Sequence, residues 1–133
     1  MDYIEEKYVS GRITGQIKIH ESEDFNGMRR VGKLAAELLD LFVNRVKPGV
    51  TTEDLDKFAL EFILDNKAIP APLNYRGFKK SICTSVNHVV CHGIPGEKVL
   101  NDGDIVNIDV TLILDGWHGD SSRMYCAGEP SIK

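Results

Sequence analysis

Asp109 and Asp120 are the two residues whose spacing could bring carboxylates together. In the run Ile105–Leu114, Val106, Ile108, Val110, Leu112 and Leu114 alternate with Asn107, Asp109 and Thr111, the period of a half-buried strand with one polar face. Asp115-Gly116 follows, the strongest short-range hairpin signal, and Trp117–Cys126 reads as the returning strand. If Asp115 and Gly116 are the two loop residues of a type I′ turn, Leu114 faces Trp117, Thr111 opposes Asp120 and Asp109 opposes Ser122. Asp109 and Asp120 then lie diagonally on one face, about 7–8 Å apart at the backbone. At that separation two carboxylates can share a cation; otherwise they are a solvated like-charge pair on a polar sheet face. A three-residue loop would turn them to opposite faces. Two neighbours favour the cation: Asp109 sits in an otherwise apolar strand, where aspartate is disfavoured, and Gly119 permits close backbone approach.

Other candidates are weaker. Cys91-His92 invites a thiol nucleophile with its base, but Val89–His92 reads as a strand, so the adjacent side chains point to opposite faces. His92, set by the Gly93 turn, is a substrate-facing imidazole or a strand-end structural histidine. His118 shares the face of Asp120 and reads as a rim residue. Gly27–Lys33 has the spacing of a phosphate-binding loop, but Leu34 stands where a hydroxyl is needed and no strand precedes it. Arg76, Lys79 and Lys80 form a small basic patch that could touch ribosomal RNA or simply stay solvated.

The elements that must position these residues are two helices and short strands. Ser22 with Glu23 and Asp24 predicts a helix start; Met28, Val31, Leu34, Ala35, Leu38, Phe42 and Val46 form its apolar face, and Lys47-Pro48-Gly49 ends it. Thr51 and Thr52 cap a second helix that buries Leu55, Phe58, Ala59, Phe62 and Ile63. Residues 67–80, broken by Pro70, Pro72 and Gly77, predict a loop. Short strands are expected at Ile82–Val86 and Val89–His92, with turns at Gly93–Gly96 and Asn101–Gly103. Residues 1–20 read as an N-terminal arm.

With 133 residues, one domain is the expectation, and 42% hydrophobic with 27% charged residues excludes a disordered chain. A net charge of −4 argues against binding nucleic acid through overall positive charge. No apolar run is long enough for a membrane span, and the acidic start is unlike a secretory signal. Three cysteines, Cys83, Cys91 and Cys126, are an odd number without paired spacing, so reduced thiols and a cytoplasmic location are expected.

Several segments together resemble the bacterial type I methionine aminopeptidases: RRVGKLAAELL (29–39), VKPGVTTEDLD (46–56), NYRGFKKSIC (74–83), SVNHVVCHGIP (85–95), DGDIVNIDVT (102–111) and DGWHGDSSRMY (115–125). Agreement of several motifs in order and spacing is far more specific than one short pattern. The resemblance implies an α+β domain, two helices packed on an antiparallel sheet, forming half of the pita-bread (creatinase/aminopeptidase-like) fold over residues 21–133. It implies a metal-dependent aminopeptidase that removes the initiator methionine of peptides or nascent proteins, with two divalent ions (Co, Mn, Fe or Zn) per full site. Asp109 and Asp120 match the family's metal-bridging aspartates. His92 matches its substrate-contacting, catalytic histidine, and Tyr75, Phe78 and Cys83 match positions lining the methionine pocket. Lys79 departs from the family, which usually has proline there. The family's domain is about twice as long, and its other half brings a histidine and two glutamates to the metals. The expectation is therefore a truncated copy, inactive or nearly so alone and prone to form homo-oligomers. The alternative is a non-catalytic half-domain that self-associates or binds partners and metal weakly.

Overall fold

In the computed structural model, which describes residues 3–6 and 15–131, strand β1 (Tyr3–Glu6) pairs antiparallel with β2 (Gly15–Lys18), Tyr3 opposite Lys18. Residues 1–20, expected as an arm, thus contain a strand pair, and residues 7–14 lie outside the described residues. There follow α1 (Ser22–Phe42), α2 (Thr52–Asp65), a two-residue β3 (Ile69–Pro70), a 3-10 turn (Tyr75–Gly77), β4 (Cys83–Val86), β5 (Ile105–Leu114) and β6 (Trp117–Cys126).

Helix α1 buries Val31, Leu34, Ala35, Leu38, Leu39 and Phe42 on one face, as the apolar period requires. Three details differ from the sequence reading. Glu21, not Ser22, is the N-cap residue, and its backbone N–H donates to Asp24 Oδ2 at 2.9 Å. The helix stops at Phe42 rather than reaching Lys47, because Val43 and Asn44 are poor helix formers. Val46 still reaches the core from beyond the last turn, its N–H bonded to Phe42 O at 3.0 Å. Met28 is exposed instead of buried.

Helix α2 begins as expected: Thr51 is the N-cap, its Oγ1 accepting from the Asp54 N–H at 3.1 Å. Its buried side holds Leu55, Ala59 and Ile63, with Phe58 and Phe62 half-buried. Residues 67–80 are not entirely loop, since Ile69 and Pro70 pair with Ile113 and Leu112.

β5 is the central strand. β3 and β4 pair along one side of it and β6 along the other, all antiparallel. Val106, Ile108, Val110 and Leu112 are fully buried beneath the helices, while Asn107, Asp109 and Thr111 occupy the opposite face. The turn has two residues, Asp115 at φ 50° and Gly116 at φ 82°, the left-handed pair that a type I′ turn requires. Its tip is tied to α1 by Arg30 and Asp115 at 3.4 Å. The segment Val89–His92, expected as a strand, is irregular. His92 has φ 53° there, which a strand cannot contain.

Gly119 lets the backbone of β6 pack closely on α1. A Cβ built on it would lie 2.8 Å from Val31 O and 3.0 Å from Val31 C, both rigid backbone atoms. Gly119→Ala should therefore push the helix off the sheet and lower stability by about 1–3 kcal/mol. Thermal denaturation checks this; an unchanged Tm would show that α1 can move away without loss. Among the described residues no helix is long and apolar enough to cross a membrane.

Candidate metal and peptide site

The polar face of the β5–β6 hairpin carries the two aspartates. Asp109 stands opposite Ser122 and Thr111 opposite Asp120, so both carboxylates rise from one face as the two-residue turn predicts. Thr111 Oγ1 donates to Asp120 Oδ1 at 3.1 Å, which orients the exposed aspartate. Asp109 is half-buried between β4 and β6, with Cys83 as its partner across β4. Its carboxyl is held above the usual range, first by burial and then by the charge of Asp120, while His92 opposes the shift. A nearby cation would favour the ionised carboxylate and so oppose this shift.

A cleft of about 920 Å³ opens over this face. Its wall includes Tyr75, Phe78, Cys83, His92, Asp109 and Asp120, so the six residues to which the resemblance assigns roles line one space. Thr111, Ile113, His118, Ile94 and Arg76 line it as well. Tyr75 and Phe78 come from the 3-10 turn and its exit, where the Phe78 N–H bonds Tyr75 O at 3.0 Å. The buried Cys83 thiol is pushed up to about 11 by burial and then by the charge of Asp109, so at neutral pH it is a protonated, weakly polar wall.

His92 is seated by its neighbour. The Gly93 carbonyl accepts from the Thr84 N–H at 2.8 Å, and the Gly93 N–H donates to Ser85 Oγ at 3.1 Å. A Cβ on Gly93 would lie 2.0 Å from Thr84 O. Only glycine fits so close to β4, and the loop is thereby held with His92 at the cleft.

Three residues have supporting roles that the sequence reading did not assign, Thr52 among them, which it took for a second cap of α2. Ser85, buried on β4, is the acceptor just described. Thr52 at the start of α2 exchanges two hydrogen bonds with Gly96, at 3.0 and 2.9 Å, anchoring the far end of the His92 loop. Asp56, buried on α2, accepts the backbone N–H groups of Ser81 and Ile82 at 2.7 and 3.1 Å. Asp56 had a signal: it lies beside Leu55 on the apolar stripe of the helix, where a carboxylate needs partners.

As a cation site the pair fits in part. Two carboxylates offer hard oxygen donors of the kind divalent ions take. Among the described residues, however, no group of three or more His, Cys, Asp or Glu side chains is placed to hold a metal.

Residues 26–133 match Metallopeptidase family M24. The methionine aminopeptidase of Rickettsia prowazekii is 64% identical over 117 residues, covering 88% of this chain and 45% of that protein. The crystal structure of the methionine aminopeptidase from the same organism superposes with a TM-score of 0.85 at 63% identity, covering 86% of this chain and 46% of that one. An X-Pro aminopeptidase of Thermotoga maritima shares the fold, with a TM-score of 0.69 at 16% identity over 85% of this chain and 30% of that one. The chain spans about half the length of the curated relatives it matches.

Proposed function

This chain belongs to metallopeptidase family M24, and on that premise we propose that it contributes half of an active site that releases N-terminal methionine from peptides or nascent proteins. The part of the fold it carries is half of the pita-bread fold, two helices on a four-stranded antiparallel sheet. The observation that carries the reading is the shared cleft, whose wall holds a carboxylate pair, two aromatic rings, a thiol and an imidazole.

In this reading residues 21–133 form half of a catalytic domain and residues 1–20 precede it. Asp109 and Asp120 hold divalent metal, which when bound polarises the scissile carbonyl and activates water. Tyr75, Phe78 and Cys83 receive the methionine side chain, which suits a polarisable thioether against aromatic rings. The protonated Cys83 adds no charge to that pocket. His92, exposed at the end of a fixed loop, offers a hydrogen bond to the peptide next to the cleaved bond.

The 133 residues alone bind metal weakly, because waters must fill most of the coordination shell around two carboxylates. Turnover by them alone is correspondingly below detection. The test is a chimera in which this chain replaces the matching half of the R. prowazekii enzyme, assayed on a methionyl tripeptide with manganese or cobalt. The chimera is expected to release methionine, and Asp120→Asn in it to lower kcat/KM by a factor of about 10² to 10⁴. A folded chimera without activity would overturn the reading. So would a 133-residue chain that alone reaches about 10⁴ M⁻¹s⁻¹, a value ordinary for complete enzymes.

A further inference from the structure

We propose that Arg76 is a carboxylate-recognising residue of this cleft and biases it toward peptides carrying an acidic side chain close to their N-terminal residue. The inference rests on the peptide-binding reading above. In sequence, Arg76, Lys79 and Lys80 look like one basic patch; folding divides them. The Lys80 ammonium is paired with the Glu53 carboxylate of α2 and is partly buried. Lys79 is exposed and stands outside the cleft wall, whereas Arg76 forms part of that wall.

The backbone at Arg76 is held in an unusual state. Its φ of 47° and ψ of 34° are left-handed, a conformation that disfavours a non-glycine residue by about 1–2 kcal/mol. Three hydrogen bonds enforce it: Asn74 N–H to Phe78 O at 2.7 Å, Tyr75 N–H to Pro72 O at 3.0 Å, and Phe78 N–H to Tyr75 O at 3.0 Å. The guanidinium carbon lies 5.4 Å from the centre of the Tyr75 ring, within reach of a cation–π contact. No carboxylate among the described residues forms an ion pair with it. A permanently charged, planar group thus stands on a backbone held at the cleft wall, without a carboxylate partner among the described residues. Its geometrical complement is a carboxylate.

General electrostatics works against such a ligand, since the chain carries a net charge of −4 and the cleft holds two aspartates. A preference for an acidic peptide would therefore report a local cation and not the overall field. The free C-terminus of a short peptide offers the same chemistry as an acidic side chain, so the two sources must be separated.

The experiment is a titration of the 15N-labelled 133-residue chain, followed by NMR, with Met-Ala-Glu-amide, Met-Ala-Gln-amide and Met-Ala-Gln as the free acid. Met-Ala-Glu-amide should bind about two- to fivefold tighter than Met-Ala-Gln-amide, the scale of an exposed ion pair. The difference should vanish in Arg76→Gln and in Arg76→Gly, the second of which relieves the left-handed backbone and so keeps the loop. It should persist in Lys79→Gln. Equal affinities for the two amides in the wild type, or a preference that survives loss of Arg76, would overturn the inference. Tighter binding of the free acid than of Met-Ala-Glu-amide would assign Arg76 to the C-terminal carboxylate and overturn the side-chain preference. If no peptide perturbs the amide signals of Phe78, Cys83 or Asp109, the peptide-binding reading fails and this inference with it; equal binding removes this inference alone.

Discussion

Asp109→Asn and Asp120→Asn are each expected to abolish the stabilisation that manganese gives the wild-type chain. A cation that binds only the folded state adds about 2.7 kcal/mol at a hundred times its Kd, so metal added well above Kd gives a clear rise in Tm. Asp109→Asn should differ from wild type without metal as well, and the sign follows from its surroundings. Its carboxyl is held above the ordinary value by burial and by Asp120, so folding opposes its ionisation. Below about pH 4, where the unfolded carboxyl keeps its proton too, there is no penalty. The penalty grows as pH rises toward the folded pKa and is complete above it. Metal-free Asp109→Asn should therefore be at least as stable as wild type at pH 7, with the advantage vanishing in acid. Thermal melts over pH and manganese concentration check both parts. A variant that responds to manganese like wild type would place the cation elsewhere.

Asp56→Ala should be among the most damaging single changes to the fold. Asp56 Oδ1 accepts the backbone N–H groups of Ser81 and Ile82, and all three residues are buried. Each orphaned donor costs about 1–3 kcal/mol, so a loss of about 2–6 kcal/mol is expected, a large part of the 5–15 kcal/mol typical of a domain. Asp56→Asn retains a carbonyl oxygen in the same place. Burial already holds the Asp56 carboxyl above its usual value, so an uncharged acceptor should be tolerated far better than alanine. Urea denaturation distinguishes the two, and amide exchange at Ser81 and Ile82 should speed up chiefly in the alanine variant. The consequence reaches the site, because these two residues lead directly into Cys83 and the wall it shares with Phe78. Wild-type stability in Asp56→Ala would mean that water replaces the carboxylate.

The β5–β6 hairpin and what it displays were legible in local pattern alone. Side chains alternate strictly along a strand, and Asp115-Gly116 supplies the left-handed pair a two-residue turn needs, so the opposition of Thr111 to Asp120 and of Asp109 to Ser122 followed from counting. The apolar faces of the two helices were legible for the same reason, that a local period fixes which side is buried. Motifs in order and spacing carried the family. What local periodicity could not supply was everything held by contacts distant in sequence. His92 lies in a left-handed loop and not a strand, because Gly93 packs onto Thr84 and Ser85. Gly119 is small because Val31 of α1 comes to it, an approach that no pattern within β6 reveals. Asp56 and Thr52 are helix residues whose partners are 25 and 44 positions away, and Lys80 is separated from Arg76 by a carboxylate 27 positions away. Short-range rules fix the face on which a side chain stands. Only tertiary packing decides which backbone groups must be satisfied there, and so which loops are held still around the aspartates.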